Sequence, residues 1–368
     1  MWQRRQVLQL GVAGWLAWWA APVAFAQTQN TTLLVSAQAQ GRDFAVSVVD
    51  LRAGSVLATA TLPFRGHQVL FSPAQEMVWV IERRPGTRVA RWRWREAKSA
   101  DILPIEEGYS LSGHAVLHPE GGLLTCEQDE ETERGLVVWR DSQTWHTLAK
   151  WPSGGVGPHA LLPLAAGQIA VANGGILTHA ETGRMRRNQG AIDSNVVRLD
   201  SRTGQLTGPV WRLPANTVGR EALSLRHLAA LPDGGLVVAM QFDEGKEGGD
   251  IPLLAYLAPD GHTEILPAPA GVWAKMKGYA LSVATTAQGA IAATAPRGDC
   301  VVFWDANRRF AGVQTLPKPA GVATVGEGFW CSNEQGHLLH FAHINTPPTQ
   351  NLSFDGVKWD NHHMLASA

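Results

Sequence analysis

The stretch GHAVLHPEGGLLTCEQD, residues 113–129, contains a histidine, an apolar run, a Pro/Gly turn, a second apolar run and a cluster of acids. Two short apolar runs that are joined by turn residues are typical of a β-hairpin. Similar hairpins recur along the chain, and the first four carry a histidine near their start. The copies begin at Gly66, Gly113, Pro158, Arg226, Tyr279 and Gly321. The chain therefore contains an internal repeat whose unit includes this hairpin.

The spacing of the repeat predicts the fold. The histidines of the first four copies, at positions 67, 114, 159 and 227, are 47, 45 and 68 residues apart. Further apolar runs between them bring each unit to about four short strands, and such a unit with a period of about 40 to 50 residues is typical of a β-propeller. Six copies and three N-terminal apolar runs predict an all-β, seven-bladed β-propeller, a single domain over residues 27–368. We expect the first blade to close against the end of the chain, because closure removes an exposed sheet edge.

The first 26 residues have the pattern of an export signal. Arg4 and Arg5 precede a long apolar stretch that ends in the small-residue motif Ala-Phe-Ala at residues 24–26. This order predicts a twin-arginine signal peptide that is cleaved after Ala26, and therefore a protein that reaches the periplasm in a folded state. In the alternative interpretation, the apolar stretch is kept as a membrane anchor.

Charge and motif content narrow the classes of function. The formal net charge is −1 and no long basic run is present, which argues against nucleic acid as a partner. The stretch RVARWRWR, residues 88–95, predicts a β-strand with one solvated cationic face, a polyanion site being the alternative. The chain has no GxSxG, P-loop, GxGxxG or CxxC motif, so serine hydrolase, nucleotide, dinucleotide and zinc-ribbon chemistry lack their sequence signals. We expect a monomer.

The repeated histidine is the main candidate for a functional site. The first strand of a propeller blade lines the central channel, so the histidines should form a ring at one channel mouth. Counting along the hairpins predicts polar partners opposite them: Glu82 opposite His67, Glu127 opposite His114, Asn173 opposite His159, Gln241 opposite His227, and Arg297 near Ser282. These partners are candidates for contact with a bound ligand.

Imidazole is the commonest protein ligand to transition metals. We therefore interpret the four histidines as ligands of an iron, copper or zinc ion, or of a small polar molecule. They are His67, His114, His159 and His227. The alternative is structural, because Gly-His dipeptides are part of the blade pattern in WD40 repeats.

Two loops give weaker signals. The acidic residues Glu127, Asp129, Glu130 and Glu131 predict either a metal site or a solvated loop. The polar insertion at residues 178–194 contains His179, Arg184, Arg186 and Arg187, which predict either an anion clamp at the channel mouth or a second solvated loop.

The C-terminus and the cysteines give further signals. Asn361, His362 and His363 either fold back to the channel or fray with the chain end. Cys126 and Cys331 are expected to be buried as small hydrophobic side chains.

Several segments resemble a bacterial family of exported propellers, the domain of unknown function 1513. The similar segments are RGHQVLFSP, GHAVLHPEGGLLTCEQD, GPHALLPLAAGQIAVANGGILTHAETGR, LSLRHLAALPDGG, GYALSVA and the terminal WDNH, and they extend over the whole chain after the leader. The resemblance implies a periplasmic seven-bladed propeller with no established activity, encoded beside imelysin-like and di-haem peroxidase-like proteins, and so a part in the uptake of iron or another metal. The family usually has an acidic residue before the Thr-His pair, where this chain has Leu177, so a ligand role at that position does not carry over.

Three functions stay open from the sequence. The first is a binding or accessory protein that captures a metal ion, a metal chelate or a periplasmic partner from an iron-uptake cluster at the histidine-lined mouth. The alternative is an enzyme, a lactonase-like hydrolase or a quinoprotein-like oxidoreductase, in which Glu82 or Glu127 holds a divalent cation that polarises a carbonyl. The third is a disc for protein interaction without a bound ligand.

Overall fold

The computed structural model describes residues 32–183, 185–243, 249–344 and 346–367. Within these residues, 27 strands form seven antiparallel sheets of three or four strands each. The predicted all-β, seven-bladed propeller is therefore confirmed. The predicted signal peptide, residues 1–26, and Arg184 lie outside the described residues.

The first four blades follow one another along the chain. Blade 1 contains β1 (Thr32–Gln40), β2 (Asp43–Asp50), β3 (Ser55–Leu62) and the last strand of the chain, β27 (Val357–Ser367). Blade 2 contains β4 (Gly66–Ser72), β5 (Met77–Glu82), β6 (Arg88–Arg93) and β7 (Asp101–Pro104). Blade 3 contains β8 (Tyr109–Leu117), β9 (Leu123–Asp129), β10 (Gly135–Arg140) and β11 (Thr147–Pro152). Blade 4 has three strands within the described ranges, β12 (Pro158–Pro163), β13 (Gln168–Asn173) and β14 (Asn195–Asp200).

The last three blades have four strands each. Blade 5 contains β15 (Leu223–Ala230), β16 (Leu236–Phe242), β17 (Leu254–Leu257) and β18 (Thr263–Ile265). Blade 6 contains β19 (Ser282–Thr285), β20 (Ile291–Ala295), β21 (Cys300–Trp304) and β22 (Phe310–Thr315). Blade 7 contains β23 (Pro319–Val325), β24 (Gly328–Asn333), β25 (His337–Phe341) and β26 (Gln350–Ser353). The helical segments are α1 (Val272–Lys275) and the 3₁₀ turns Pro73–Gln75, Ala165–Gly167, Ala180–Thr182 and Arg220–Ala222. In the part of the chain that the structure describes, no helix is long and apolar enough to cross a membrane.

The ring closes through the two ends of the chain. Strand β27 pairs antiparallel with β1, from Thr32 opposite Ser367 to Gln40 opposite Val357. It is the innermost strand of blade 1 and contacts the innermost strands of its neighbours, β4 and β23. The expected closure of the first blade against the chain end is therefore confirmed, and it places the C-terminal segment at the channel.

Apolar side chains join neighbouring blades. Val46 of blade 1 and Val80 of blade 2 lie in one buried cluster, and the rings of Trp79 in blade 2 and Trp145 in blade 3 stack with centroids 5.8 Å apart. Burying large aromatic side chains between sheets in this way is a major source of stability. Residues 88–93 of the stretch RVARWRWR form β6, with Trp92 buried and Arg93 exposed, as the alternating pattern predicts.

Candidate metal centre

The innermost strands bear a β-bulge where the histidine repeats. In blade 3, Leu111 pairs with Glu127 and Ala115 with Thr125, so β8 has two residues more than β9 between these pairs, and His114 lies in this bulge. Comparable register shifts occur around His67 in β4, His159 in β12, His227 in β15 and residues 360–362 in β27. A bulge changes the direction of the side chains beside it. The bulges therefore turn histidines from different blades towards the channel.

Gly113 allows the bulge of blade 3 to approach blade 2. Its φ is +96°, and a Cβ at this position would lie 2.6 Å from Cδ2 of His67. Glycine tolerates this backbone conformation, and it has no side chain to collide with the ring. The glycine of the Gly-His dipeptide thus lets two histidines of neighbouring blades come into contact.

Four histidines from four blades form a cluster. One potential ligand nitrogen from each of His67, His114, His227 and His362 lies within 4.8 Å of the other three. Nε2 of His114 is 2.9 Å from Nε2 of His362, and the five ring pairs in contact have centroids 4.7 to 5.2 Å apart. His67, His114 and His227 are buried, and His362 is half-buried. Four imidazoles that converge in this way are a donor set suited to a transition metal ion.

His159 lies beside this cluster. Its ring centroid is 4.6 Å from that of His114 and 5.0 Å from that of His227. Its ring nitrogens are not among the four converging atoms. The structure thus brings together all four histidines that the sequence singles out and adds His362, while His159 borders the group.

Two of the four rings are oriented through their Nδ1 atoms. Nδ1 of His67 is 3.3 Å from Oδ1 of Asp360, whose Oδ2 accepts a hydrogen bond from Nε of Arg65 at 3.0 Å. Nδ1 of His227 contacts the backbone carbonyl oxygen of Leu281. Metal-binding histidines typically donate from the second ring nitrogen to a carboxylate or a backbone carbonyl, which fixes the tautomer and the ring orientation. In both residues these contacts occupy Nδ1 and leave Nε2 as the nitrogen that could bind a metal.

Two nitrogen atoms of the cluster have no hydrogen-bond partner in the part of the chain that the structure describes. Nδ1 of His114 and Nε2 of His227 are buried without a hydrogen-bond partner among the described residues. A buried polar atom that is left unsatisfied costs about 1 to 3 kcal/mol. Such atoms are available to an ion, water or ligand that binds at this site.

The histidines of the cluster are held in the neutral form. Burial, followed by the positive charge of neighbouring histidines, lowers the pKa of His114 and His362 well below the usual range, and mainly burial lowers the pKa of His227 to about 3. Burial by itself would raise the pKa of Asp360, but its contacts with His67 and Arg65 outweigh burial and lower that pKa to about 2. At neutral pH the cluster therefore offers uncharged nitrogen atoms beside one ionised carboxylate.

The predicted pairing of histidines with polar partners is wrong by one to three residues. Glu82 pairs with Gly66, Glu127 with Leu111, Asn173 with Pro158 and Gln241 with Ser224, while Ser282 pairs with Thr294. Bulges explain the difference in blades 2 and 4, where one extra residue in the histidine strand shifts the partner of Glu82 and of Asn173 by one. In blades 3 and 5 the hairpin turn contributes as well, since Ala115 pairs with Thr125 and His227 pairs with Ala239 on the turn side of the bulge.

The two glutamates are engaged elsewhere. Glu82 accepts hydrogen bonds from the side chain of Arg88 at 2.5 and 3.1 Å and from the backbone N–H of Thr87 at 2.9 Å. Glu127 is fully buried and forms a bidentate ion pair with Arg140, with both N–O distances 3.0 Å. The expectation that these carboxylates face the histidines is therefore wrong.

The remaining predicted partners have contacts with other residues. Asn173 is buried and donates to the backbone oxygen of Ser153 and to Oδ1 of Asn195, each at 2.9 Å. Gln241 forms an isolated bridge with Tyr279, and the guanidinium of Arg297 lies 5.0 Å from the ring of Tyr279.

The polar insertion and the acidic loop bind each other. Oε2 of Glu130 accepts a hydrogen bond from the backbone N–H of Ala180 and lies 3.4 Å from Nε2 of His179. Arg187 pairs with Glu133 at 2.6 Å and Arg186 with Asp243 at 3.3 Å. These contacts favour a structural role for both loops over an anion clamp or an acidic metal site.

The cysteines and the C-terminal segment occupy defined places. Cys126 and Cys331 are buried, as expected, and burial raises the pKa of both thiols. His363 is also buried, with Nε2 2.6 Å from Oγ of Ser332. Of the two alternatives for residues 361–363, the structure favours the fold back to the channel.

Sequence analysis did not identify Asp360. A signal for it was present, because closure of blade 1 by the chain end makes WDNHH, residues 359–363, an innermost strand like those that carry the other histidines. Asp360 and His362 thus occupy the position in blade 1 that the repeat assigns to the site.

Comparisons with known proteins identify the family and the fold. A family model described as "Protein of unknown function (DUF1513)" matches residues 60–366, and no curated protein matches the sequence. A putative 6-phosphogluconolactonase from Bacteroides uniformis has a similar structure, with 12% identity, a TM-score of 0.63, and coverage of 92% of this chain and 100% of that chain. Apo AztD from Citrobacter koseri has 11% identity and a TM-score of 0.56, with coverage of 92% of this chain and 99% of that chain. Hydrazine synthase from Kuenenia stuttgartiensis has 12% identity and a TM-score of 0.59, with coverage of 85% of this chain and 96% of that chain. At these identities the similarity shows the fold alone.

Proposed function

The chain belongs to the DUF1513 family, and we propose that it is a periplasmic binding protein whose histidine cluster holds one divalent transition metal ion. The convergence of four ligand nitrogens within 4.8 Å carries this proposal. The export signal predicted in residues 1–26 supports the location, and the family resemblance supports a part in metal uptake.

The donor set selects a class of metal. Imidazole nitrogen suits zinc, copper, iron and nickel, whereas magnesium and calcium take oxygen ligands. All four donors are neutral imidazoles, and the Nδ1 contacts of His67 and His227 leave their Nε2 atoms available. The order of affinities among divalent ions at nitrogen sites favours copper over zinc and zinc over iron.

The contacts of Glu82 and Glu127 argue against the enzyme alternative. It requires Glu82 or Glu127 to hold a divalent cation, and both carboxylates pair with arginines, Arg88 and Arg140. The similarity to a putative lactonase extends to the fold alone. We therefore propose binding rather than catalysis.

Quantitative metal analysis tests the proposal. Purified protein without a polyhistidine tag is dialysed against Zn²⁺, Cu²⁺ or Fe²⁺, and bound metal is measured by mass spectrometry. We expect one ion per chain. We also expect His114→Leu and His362→Leu each to lower the metal affinity by at least about one hundredfold. Residues that only orient a metal ligand typically cost up to about that much when they are mutated, and loss of a ligand should cost no less.

A matched control separates the cluster from exposed histidines. His146 lies on the surface of blade 3, and His146→Leu should leave the metal content and affinity unchanged. Equal metal content in the wild-type protein and in both cluster variants would refute the proposal.

A further inference from the structure

A cavity of about 550 Å³ lies between blades 2 and 3. The turns that join β4 to β5, β6 to β7 and β10 to β11 contribute to its lining, so it lies at the end of these blades where β4 finishes, whereas His67 is near the start of β4. Its volume is within the range of about 300 to 1,000 Å³ that is typical of small-molecule sites. The cavity is therefore large enough for an organic ligand rather than for an ion alone.

Arg91 holds the two sides of this cavity together. Its Nη1 donates hydrogen bonds to the backbone oxygens of Ser142, at 3.0 Å, and of Gln143, at 2.8 Å, in the turn of blade 3. Its Nη2 lies 3.2 Å from Oδ2 of Asp101, so the two charges compensate each other. Arg91 thus has a structural role at the cavity and leaves no net charge there.

Arg93 supplies the uncompensated charge of the cavity. It follows Arg91 by two residues in β6, so both side chains project from the same face of the strand, and both line the cavity. Arg93 is exposed, and its side chain has no ion pair or hydrogen bond with another of the described residues. The cavity therefore carries one positive charge, and a guanidinium is well suited to bind a carboxylate or a phosphate group through paired N–H donors.

The rest of the lining combines apolar and uncharged polar side chains. Met77 and Trp79, two buried residues of β5, line the cavity, and Trp79 is held in place by its stack with Trp145. Four polar side chains line it without a hydrogen bond to another residue in the described ranges: Gln75, Ser99, Ser142 and Gln143. A sugar matches both kinds of surface, because its hydroxyl groups form hydrogen bonds and the C–H groups of its ring pack against apolar side chains.

We infer that this cavity binds an acidic sugar, with its carboxylate or phosphate group on the guanidinium of Arg93 and its ring against Met77 and Trp79. The cavity shares no residue with the histidine cluster, so this binding is independent of the proposed metal site.

Isothermal titration calorimetry tests this inference. The full chain is titrated, in a phosphate-free buffer that contains a metal chelator, with glucuronate, glucose 1-phosphate, glucose or inorganic phosphate. We expect at least one of the two acidic sugars to bind at one site per chain, and to bind about tenfold or more tightly than glucose or inorganic phosphate. A hydrogen-bonded charged group contributes an effect of this size. The comparison of glucuronate with glucose 1-phosphate shows which acidic group the site takes.

Two variants test whether the sugar lies in the cavity. Arg93→Gln removes the charge and should lower the affinity for the acidic sugar about tenfold or more. Ser99→Trp fills the cavity without changing its charge and should lower the affinity by a similar factor. Both residues are exposed, so neither substitution disrupts the core. Arg52→Gln, at the exposed turn between β2 and β3, is the matched control for the loss of one charge and should keep the full affinity.

The outcomes separate this inference from the proposed function. Acidic sugars that bind no more tightly than glucose or inorganic phosphate overturn the inference, and so does an unchanged affinity in Arg93→Gln or Ser99→Trp. Loss of sugar binding in His114→Leu would place the ligand at the histidine cluster and would also overturn it. Each of these results leaves the metal analysis of the cluster unaffected.

Discussion

Two buried groups of titratable side chains differ in how many of their polar atoms form hydrogen bonds within the group. In blade 3, both carboxylate oxygens of Glu127 accept hydrogen bonds from Arg140, and one also accepts a hydrogen bond from Oγ1 of Thr125 at 2.6 Å. At the channel, the histidine cluster leaves Nδ1 of His114 and Nε2 of His227 without partners among the described residues.

This difference distinguishes a structural site from a binding site. A buried ion pair with all its hydrogen bonds made has no free capacity for a ligand, and its loss affects the folded state. A buried cluster with unsatisfied donors and acceptors carries an energetic cost that a ligand can remove. The sequence presents both Glu127 and His114 as candidates for a ligand site, and the hydrogen bonds separate them.

The largest expected effect is on stability and comes from the ion pair. Arg140→Ala leaves Glu127 buried without its counter-charge and should lower the free energy of unfolding by about 3 to 5 kcal/mol. Urea denaturation followed by circular dichroism measures this loss. The double variant Glu127→Leu/Arg140→Met removes both charges and should recover most of it, whereas a double variant as unstable as the single one would contradict the assignment.

The next effect is a dependence of stability on pH that originates in the cluster. The pKa of His227 is about 3 in the folded protein and about 6.5 in an unfolded chain. Between these values only the unfolded chain binds the proton, so stability is full above pH 6.5 and falls as the pH decreases towards 3. Each histidine that stays neutral contributes a slope of about 1.4 kcal/mol per pH unit.

Denaturation curves at pH 7, 6 and 5, recorded without metal, measure this slope. His227→Leu should flatten it, and the exposed His146→Leu should leave it unchanged. Equal slopes in the wild-type protein and His227→Leu would contradict the contribution of His227.

The smallest expected effect concerns the contact between blades 2 and 3. Gly113→Ala adds a side chain at a φ of +96°, and its Cβ would lie 2.6 Å from the ring of His67. We expect a loss of about 1 kcal/mol from the backbone conformation and, in addition, a lowered metal affinity because His67 is displaced. Gly121 also has a φ of +96° but has nothing within 4 Å, so Gly121→Ala should cost stability alone. Unchanged metal affinity in Gly113→Ala would show that His67 is not a ligand.

Sequence reasoning identifies most of the cluster but not its neighbours. His67, His114 and His227 are found because they recur at one position of a repeat, and a repeat places equivalent residues at equivalent points of the ring. Glu82 and Glu127 are misplaced because the bulges add residues to one strand of a hairpin and so change which residues lie opposite one another.

The part of the site that comes from the C-terminal segment could be recognised only from the closed ring. His362 and Asp360 are far from the other cluster residues in sequence, and residues 359–363 alone leave open whether the chain end folds back or frays. Pairing of β27 with β1 decides this, since it makes the last strand an innermost strand of the propeller. The same pairing brings Asp360 to within 3.3 Å of Nδ1 of His67.

The sequence by itself determined the seven-bladed repeat and the residue type at its recurring position, because turn residues and apolar periodicity are local properties of the chain. Only the tertiary structure decided which polar groups meet: the paired Glu127 and Arg140, and the unsatisfied nitrogens of the histidine cluster. Hydrogen bonding of a buried group depends on the distance and direction of atoms that belong to different blades, and these are fixed by strand register, bulges and ring closure rather than by spacing along the chain.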